Sequence, residues 1–259
     1  MMKKLLAFCL AMMLCTLCAV AFADDSDLAY VKEKGKLVVG ITDFAPMDYK
    51  NEAGEWIGFD ADLATAFAKS LGVEVEFTEI DWDNKILELN GKTIDCVWNG
   101  MTLTAEVLSS MECSNAYANN AQVIVIPASK VADYPDVASM ANLYFAVEAG
   151  SAGEAEVEAL GYQATPVSSQ AATLMEVSAG TSDAAVIDSL MAAAMVGEGT
   201  GYENLVYTFA LNSEEYGVGF RKGSDLAETL NAFMAAAYAD GTIMSIAETY
   251  GVQAAIIAQ

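Results

Sequence analysis

The 259-residue sequence contains no histidine, a single arginine (Arg221) and four prolines. Without histidine it cannot form a serine–histidine triad or a cysteine–histidine nucleophile pair, and a zinc site would lack one of its two commonest ligands. Cysteine is also scarce, since three of the five cysteines lie before residue 19 and the others are Cys96 and Cys113. Acid–base chemistry would therefore depend on scattered carboxylates, and we expect neither a metal site nor any other cofactor.

Residues 1–23 have the composition of a secretory signal peptide. They combine a basic start, an almost wholly apolar stretch over 5–20 and a small-x-small cleavage site at Ala21-Phe22-Ala23. The apolar stretch is too short for a membrane-spanning helix. We therefore expect an exported protein, in the periplasm or on the outer cell surface. Lipid attachment at Cys18 is the alternative, although a bulky Leu17 before the cysteine fits a lipoprotein signal poorly.

The predicted mature chain, residues 24–259, is strongly acidic. It carries ten basic residues against 36 acidic ones, a formal charge of −26, and no basic stripe. A surface this negative repels phosphates and anionic lipid headgroups, so we expect no nucleic-acid partner. Its 236 residues suffice for one large domain or for two small ones, each with its own core.

Strand and helix patterns alternate along the chain. The predicted strands are 36–41, 73–78, 94–98, 122–126, 144–147, 163–167 and 183–187, and the predicted helices are 60–70, 84–89, 153–160 and 169–179. Strands separated by helices indicate parallel sheets with right-handed crossovers. Ligands of such sheets bind at the carboxyl ends of the strands.

Polar and aromatic residues cluster where these strands end. The clusters are Thr42-Asp43-Phe44, Asp81-Trp82, Asn99-Gly100-Met101-Thr102, Glu148 to Gly153, and Asp188. Each has an ordinary structural explanation on its own: an aromatic side chain in the core, a tight turn, or a helix cap. Because all five lie at equivalent strand ends, together they favour a binding site for something small and polar.

Several ordered segments resemble one known family. They are GITDFAPMDY (40–49), GFDADLATAFAKSLGVEVEF (58–77), NGMTLTAEV (99–107), SNAY (114–117), VEAGSAGE (147–154), SAGTSDAAVID (178–188) and GVGFRKGSD (217–225). This order is similar to that of the polar amino-acid-binding proteins of bacterial ABC importers, which have a type II periplasmic-binding-protein fold. The resemblance implies a two-lobed α/β protein with mixed sheets flanked by helices. Lobe 1 would comprise 24–117 and 213–259, lobe 2 would comprise 118–212, and the chain would cross twice between them.

The resemblance also implies the function. A monomer would trap a small polar ligand, an amino acid, between its lobes and pass it to the permease and ATPase subunits of the importer. Three alternatives remain open. The ligand could be an amine or another cation without a recognised α-carboxylate. The protein could be an enzyme like cyclohexadienyl dehydratase, with Glu148 as the acid, or it could act through partner proteins.

Nine residues take ligand-binding roles by this resemblance: Asp43, Phe44, Trp82, Asn99, Gly100, Thr102, Ser151, Ala152 and Asp188. Phe44 and Trp82 match an aromatic pair that sandwiches the ligand, and Asp188 matches an aspartate that pairs with its ammonium. Ser151 and Ala152 match a helix start that meets the carboxylate. Whether Thr42 or Asp43 replaces an early acidic contact of the family stays open.

One departure from the family concerns the ligand's carboxylate. The family usually has Thr-x-Glu-Arg where this chain has Thr104-Ala105-Glu106-Val107, and that arginine grips the α-carboxylate as a bidentate fork. The resemblance places Arg221 away from the cleft. Lys85 either reaches inward or, as is usual for a lysine on an exposed helical turn, is solvated. The cleft should therefore be net negative and favour a ligand with a positive group.

The two remaining cysteines should be unpaired. The resemblance inserts the returning strand, around residues 217–220, between the strands that carry Cys96 and Cys113. Strands two apart are separated by roughly 9–10 Å, which is beyond the reach of a disulfide.

Overall fold

The computed structural model describes residues 26–259 of the chain. The predicted signal peptide and the lipid attachment at Cys18 lie outside these residues. None of the helices within 26–259 is long and apolar enough to cross a membrane.

The first sheet is mixed and has the strand order β4-β1-β5-β13-β6, with β7 paired to β13. Its strands are β1 (Lys36–Ile41), β4 (Glu74–Glu79), β5 (Cys96–Thr102), β6 (Glu112–Cys113), β7 (Ala118–Asn120) and β13 (Glu214–Phe220). β1 is parallel to β4 and β5, whereas β13 is antiparallel to β5. Residues 37–41 of β1 are all buried, as expected for a strand covered on both faces.

The second sheet has the order β10-β9-β11-β8-β12. Its strands are β8 (Gln122–Pro127), β9 (Tyr144–Glu148), β10 (Gln163–Val167), β11 (Ala184–Asp188) and β12 (Leu205–Ala210). β9 is parallel to β10 and β11, and β8 is antiparallel to β11 and β12. A short hairpin, β2 (Tyr49–Lys50) and β3 (Trp56–Ile57), completes the strands of the described chain.

Nine α-helices lie within residues 26–259. They are α1 (Asp27–Lys34), α2 (Phe59–Leu71), α3 (Lys85–Asn90), α4 (Ala105–Ser110), α5 (Ala152–Ala159), α6 (Gln170–Ala179), α7 (Ser189–Met195), α8 (Leu226–Ala239) and α9 (Thr242–Tyr250). α2 buries Leu63 and Phe67 and ends at Gly72, whose φ of +76° suits glycine. The Ser151 and Ser169 side chains cap the first turns of α5 and α6.

The predicted alternation of strands and helices is confirmed, with one informative difference at β5. The strand does not end at Trp98 but continues through Asn99 to Thr102. β13 supplies the extra pairing, since Tyr216 lies opposite Thr102. A partner more than 100 residues away leaves no local pattern, so the candidate segment 99–102 is part of a strand rather than a loop.

The chain passes between the two sheets twice, from β7 to β8 and from β12 to β13. The two crossings lie side by side, because the Leu211 N–H donates to the Gln122 carbonyl and the Gln122 N–H donates to the Asn212 side chain. A displacement of one crossing would therefore disturb the other.

The prediction for the cysteines is confirmed: Cys96 and Cys113 are both free thiols. β13 lies between their strands, with Phe220 opposite Cys96 and Gly219 opposite Cys113.

Candidate functional site

A cavity of about 260 Å³ lies between the two sheets and is lined by residues of both. This volume is slightly below the range of roughly 300–1,000 Å³ typical of small-molecule sites, so it suits a small metabolite. Seven of the nine predicted site residues line it: Trp82, Asn99, Gly100, Thr102, Ser151, Ala152 and Asp188. The structure adds lining side chains that the prediction did not include, notably Lys85, Glu148 and Gln170.

Gly100 forms the wall of the cavity where β5 passes beneath it. Its φ is +55°, and a Cβ at this position would lie 2.5 Å from the Phe44 ring. Both the backbone conformation and the close approach therefore require glycine. The Gly100 N–H points into the core and donates to Asp60 Oδ2 at 2.7 Å.

Asn99 lines the cavity, but its side chain is engaged within the protein. Its Oδ1 accepts from the Thr42 N–H at 2.9 Å and its Nδ2 donates to Thr42 Oγ1 at 2.8 Å. The pair ties the end of β1 to β5. Asn99 thus acts on the site by fixing this wall, and Thr102, whose hydroxyl donates to Glu214 at 2.9 Å, links β5 to β13.

The prediction that Phe44 forms one side of an aromatic sandwich is wrong for this structure. Phe44 is 1% exposed and lies behind Gly100, edge-on to the Tyr216 ring with centroids 6.3 Å apart. A tight turn causes this, because the Phe44 N–H donates to the Asp48 carbonyl and the Phe44 carbonyl accepts from the Asp48 N–H. The turn directs the ring into the core, which leaves Trp82 as the aromatic side chain of the cavity.

Asp43 is also placed elsewhere. It is exposed and lines a separate depression with Thr42, Glu79 and Ser169. Partial burial and the neighbouring Glu79 raise the pKa of Asp43. The sequence left open whether Thr42 or Asp43 replaces the family's early acidic contact with the ligand. Neither residue lines the main cavity.

Lys85 reaches into the cavity, which is the first of the two alternatives left open by the sequence. The residue is 7% exposed, and its ammonium donates to the Trp82 carbonyl at 3.2 Å and to the Gly150 carbonyl at 2.9 Å. The ammonium also lies 4.9 Å from the centre of the Trp82 ring, a cation–π distance. Burial lowers the pKa of Lys85, while nearby carboxylates, led by Glu106, oppose that shift.

Val107 offers the cavity only apolar surface. It is 4% exposed and belongs to an apolar cluster with Trp82, Met101 and Met111. The single arginine lies elsewhere, as predicted: the Arg221 guanidinium contacts Asp27 at 2.8 Å and donates to the carbonyls of Leu89 and Ile94. No guanidinium therefore lines the cavity within residues 26–259.

Asp188, at the end of β11, is buried and surrounded by donors. Four side chains donate hydrogen bonds to its carboxylate: Asn120, Gln122, Gln170 and Tyr216. Three of them reach Oδ1, so Oδ2, which accepts from Gln170, keeps room for one more donor. Burial, and then repulsion from Glu214, raise the pKa of Asp188 to about 7.

Glu148, at the end of the neighbouring strand β9, is equally buried, but one of its carboxyl oxygens lacks a donor. It is 2% exposed, and its Oε1 has no hydrogen-bond partner. Burial, and then repulsion from Asp188, raise its pKa to about 8, although Lys85 and Gln170 act in the opposite direction. A buried carboxyl with an unsatisfied oxygen in a cavity can accept a donor from a ligand.

The three lining side chains that the prediction did not include share one sequence signal. Lys85 follows β4 by six residues, Glu148 ends β9, and Gln170 follows β10 by three residues. All three thus come at or shortly after strand ends. The strand-end rule already includes Glu148 in one of its clusters, and the same rule could have selected Lys85 and Gln170.

Comparison with known proteins assigns the chain to a family. The model for bacterial extracellular solute-binding proteins, family 3, matches residues 37–253. The chain therefore belongs to this family, whose members bind solutes outside the cytoplasm, and its fold is the type II periplasmic-binding-protein fold predicted from the sequence.

Named relatives agree with this assignment. The L-cystine-binding protein TcyJ of Escherichia coli strain K12 is 27% identical over 239 residues, covering 89% of this chain and 88% of TcyJ. The arginine-binding extracellular protein ArtP of Bacillus subtilis strain 168 is 28% identical, covering 89% and 91%. The crystal structure of the ancestral amino acid-binding protein AncCDT-1, a precursor of cyclohexadienyl dehydratase, matches with a TM-score of 0.79 and 29% identity, covering 87% and 99%.

Proposed function

We propose that this protein binds one free amino acid in the cavity between its sheets and delivers it to the permease and ATPase subunits of an ABC importer. The observation that carries the proposal is the convergence of polar groups on one cavity from the strand ends of both sheets. Family membership and the amino-acid-binding relatives support it.

The lining groups suggest how the common part of an amino acid is held. The α-ammonium donates to Asp188 Oδ2, the carboxylate oxygen with a free acceptor position. The α-carboxylate lies between the Lys85 ammonium and the first turn of α5, where backbone N–H groups and the helix dipole favour an anion. Trp82 then covers the ligand with apolar surface.

The mode of capture follows from the topology. We infer that the two crossings between the sheets are hinges, with lobe 1 formed by 24–117 and 213–259 and lobe 2 by 118–212. The hydrogen bond from Lys85 to the Gly150 carbonyl joins the two lobes and forms when they close. Export through the signal peptide of residues 1–23 fits delivery to a membrane permease, and we propose that the protein acts as a monomer.

The test is a binding screen on the purified chain 24–259. Thermal shifts are measured with the common amino acids, with quaternary ammonium compounds and with amines such as agmatine, and hits are confirmed by calorimetry. A ligand at 100 times its dissociation constant should add about 2.7 kcal/mol to the free energy of unfolding. If no amino acid stabilises the protein, the proposal is wrong, and stabilisation by amines alone would favour the cation-binding alternative.

A dehydratase activity is less consistent with the site. Glu148 is a protonated acid at neutral pH and could in principle donate to a leaving hydroxyl. A prephenate-like substrate, however, brings two carboxylates into a cavity whose lining, within the described chain, has one cation and three acidic residues. We expect the purified protein to turn over neither prephenate nor arogenate. Formation of phenylpyruvate or phenylalanine would contradict this.

A further inference from the structure

We propose that Glu148 selects the ligand by its side chain, and that the substrate class is amino acids carrying a second positive charge at the end of that side chain. The inference rests on the proposed function and names the substrate of the same cavity. Glu148 would accept a hydrogen bond from a distal ammonium or guanidinium.

The first argument is the unequal treatment of the two buried carboxyl groups in the cavity. Asp188 receives four side-chain donors, whereas Oε1 of Glu148 receives none. An unsatisfied polar atom that is removed from water costs about 1–3 kcal/mol. The protein satisfies Asp188 with its own side chains, whereas Oε1 of Glu148 is left for a donor on a ligand.

The second argument is the charge of the cavity lining. Within residues 26–259 the lining contains Glu106, Glu148 and Asp188 but one basic side chain, Lys85. The Lys85 ammonium already donates to two carbonyls, those of Trp82 and Gly150. A second cation on the ligand can be paired by an ionised Glu148, whereas a neutral ligand side chain leaves Glu148 protonated.

The third argument is the position of Glu148 relative to the groups that hold the α-carbon substituents. β9 and β11 are neighbouring parallel strands, and Glu148 and Asp188, the last residues of these two strands, both line the cavity. Strands lie about 4.8 Å apart. Of the two other lining carboxyl groups, Glu106 and Glu148, it is therefore Glu148 that belongs to the strand beside that of Asp188.

Other unsatisfied carboxyl oxygens in the described chain do not compete for this role. Both oxygens of Asp48 and Oδ1 of Asp60 lack partners, but these two residues are fully buried and do not line the cavity. Burial raises the pKa of each, and neither carboxyl is accessible to a ligand in the cavity.

Protonation supplies an independent readout. Burial and Asp188 raise the pKa of Glu148 to about 8, so the free protein holds a proton there at pH 7. A ligand with a cationic side chain would displace that proton from Glu148, whereas a ligand with a neutral side chain would not. The other charged groups that act on Glu148 and Lys85 are Asp188, Glu106, Asp83 and Glu154. These groups are the same whether the bound ligand is cationic or neutral.

The experiment compares ligands that differ in charge and little in shape. Calorimetry at pH 7 measures L-arginine against L-citrulline, and L-lysine against L-norleucine, with the wild-type chain 24–259, with Glu148→Gln and with Glu158→Gln. Glu158 is exposed on α5, so its variant removes the same charge away from the cavity. We expect the wild type and Glu158→Gln to prefer the cationic member of at least one pair by tenfold or more. Glu148→Gln should reduce that preference to about threefold or less while still binding the neutral ligand.

A wild type that binds the neutral members as tightly as the cationic ones would overturn this inference and leave the proposed function standing. An undiminished preference in folded Glu148→Gln would do the same. If neither these four ligands nor any other amino acid binds, both this inference and the proposed function are wrong. If Glu148→Gln does not fold, the wild type alone decides: in buffers of different ionisation enthalpy, the cationic ligand should release more protons than its neutral partner.

Discussion

The Arg221 region and the cavity both bury carboxyl groups, but the protein pairs only those of the Arg221 region with its own cations. Beneath the first sheet, Asp27 and Asp95 are almost completely buried, and Arg221 and Lys34 lie against them at 2.6–3.5 Å. In the cavity, Glu148 and Asp188 are buried to the same degree. Lys85, the lysine of the cavity lining, donates its hydrogen bonds to backbone carbonyls instead.

The difference separates structural charge from functional charge. At the Arg221 cluster, defined as Arg221, Asp27, Asp95 and Lys34, each carboxylate meets a cation and the arrangement closes on itself. In the cavity, Oε1 of Glu148 has no donor, and this oxygen lies where a small molecule can enter. The single arginine of the chain serves the structure, so an ionised Glu148 would depend on a cation of the ligand for its partner.

The largest expected effect comes from breaking the closed cluster. Arg221→Met leaves Asp27 buried without its guanidinium and removes donors from the carbonyls of Leu89 and Ile94. Removing one partner of a buried ion pair costs about 3–5 kcal/mol, so the free energy of unfolding in urea should fall by that amount. Lys130→Met, which breaks the exposed pair with Asp133, should change it by less than about 1 kcal/mol.

The Arg221 cluster should matter for stability but not for ligand affinity. Folded Arg221→Met should bind the ligand within about twofold of the wild type, because the cluster does not line the cavity. A larger loss of affinity would show that the two regions are coupled and would contradict the comparison.

The next effect concerns the apolar cover of the cavity. Trp82→Ala removes the aromatic side chain that lines it, and burial of such a ring contributes about 1–3 kcal/mol to binding. Calorimetry should therefore show affinity reduced by roughly tenfold or more. Trp56, which lies at the hairpin under the Lys50 ammonium, provides the matched control. Equal losses for Trp82→Ala and Trp56→Ala would mean that Trp82 acts only through packing.

Local pattern predicted most of the fold and much of the cavity. Strands such as β1 and helices such as α2 follow from hydrophobic periodicity and glycine stops, and the strand-end rule found Trp82, Gly100 and Asp188. These features depend on neighbours in the sequence or on a general property of parallel sheets.

The errors arise where a distant contact decides. Phe44 faces the core, where it packs against the ring of Tyr216, a residue far along the chain, and a local turn to Asp48 directs it there. Lys85 turns inward because the Gly150 carbonyl, 65 residues away, accepts its hydrogen bond. The pattern around each residue is compatible with either orientation, so the sequence alone could not choose.

A smaller effect tests whether Lys85 serves the ligand's carboxylate. Lys85→Met keeps the apolar stem but removes the ammonium. Affinity for L-arginine should fall about tenfold, which corresponds to about 1.4 kcal/mol, while affinity for agmatine, which lacks the carboxylate, should change much less. Lys92→Met, outside the cavity lining, is the control. Equal losses for both ligands would indicate that Lys85 stabilises the closed form rather than contacting the carboxylate.

The smallest expected effect sharpens the comparison without any ligand. Because burial raises the pKa of Glu148 from its usual 4.5 to about 8, the folded protein binds this proton more tightly than the unfolded chain does. The stabilising contribution is complete below about pH 4.5 and is lost as the pH rises towards 8.

Asp188 and Asp60, each with a pKa of about 7, act in the same direction but are unchanged in Glu148→Gln. That variant should therefore lose less stability than the wild type between pH 5 and pH 8.5. One pKa unit corresponds to about 1.4 kcal/mol, so urea unfolding at the two pH values should resolve a difference of about 1 kcal/mol or more. Parallel pH profiles would mean that Glu148 finds a donor within the free protein, and the contrast with the Arg221 cluster would then disappear.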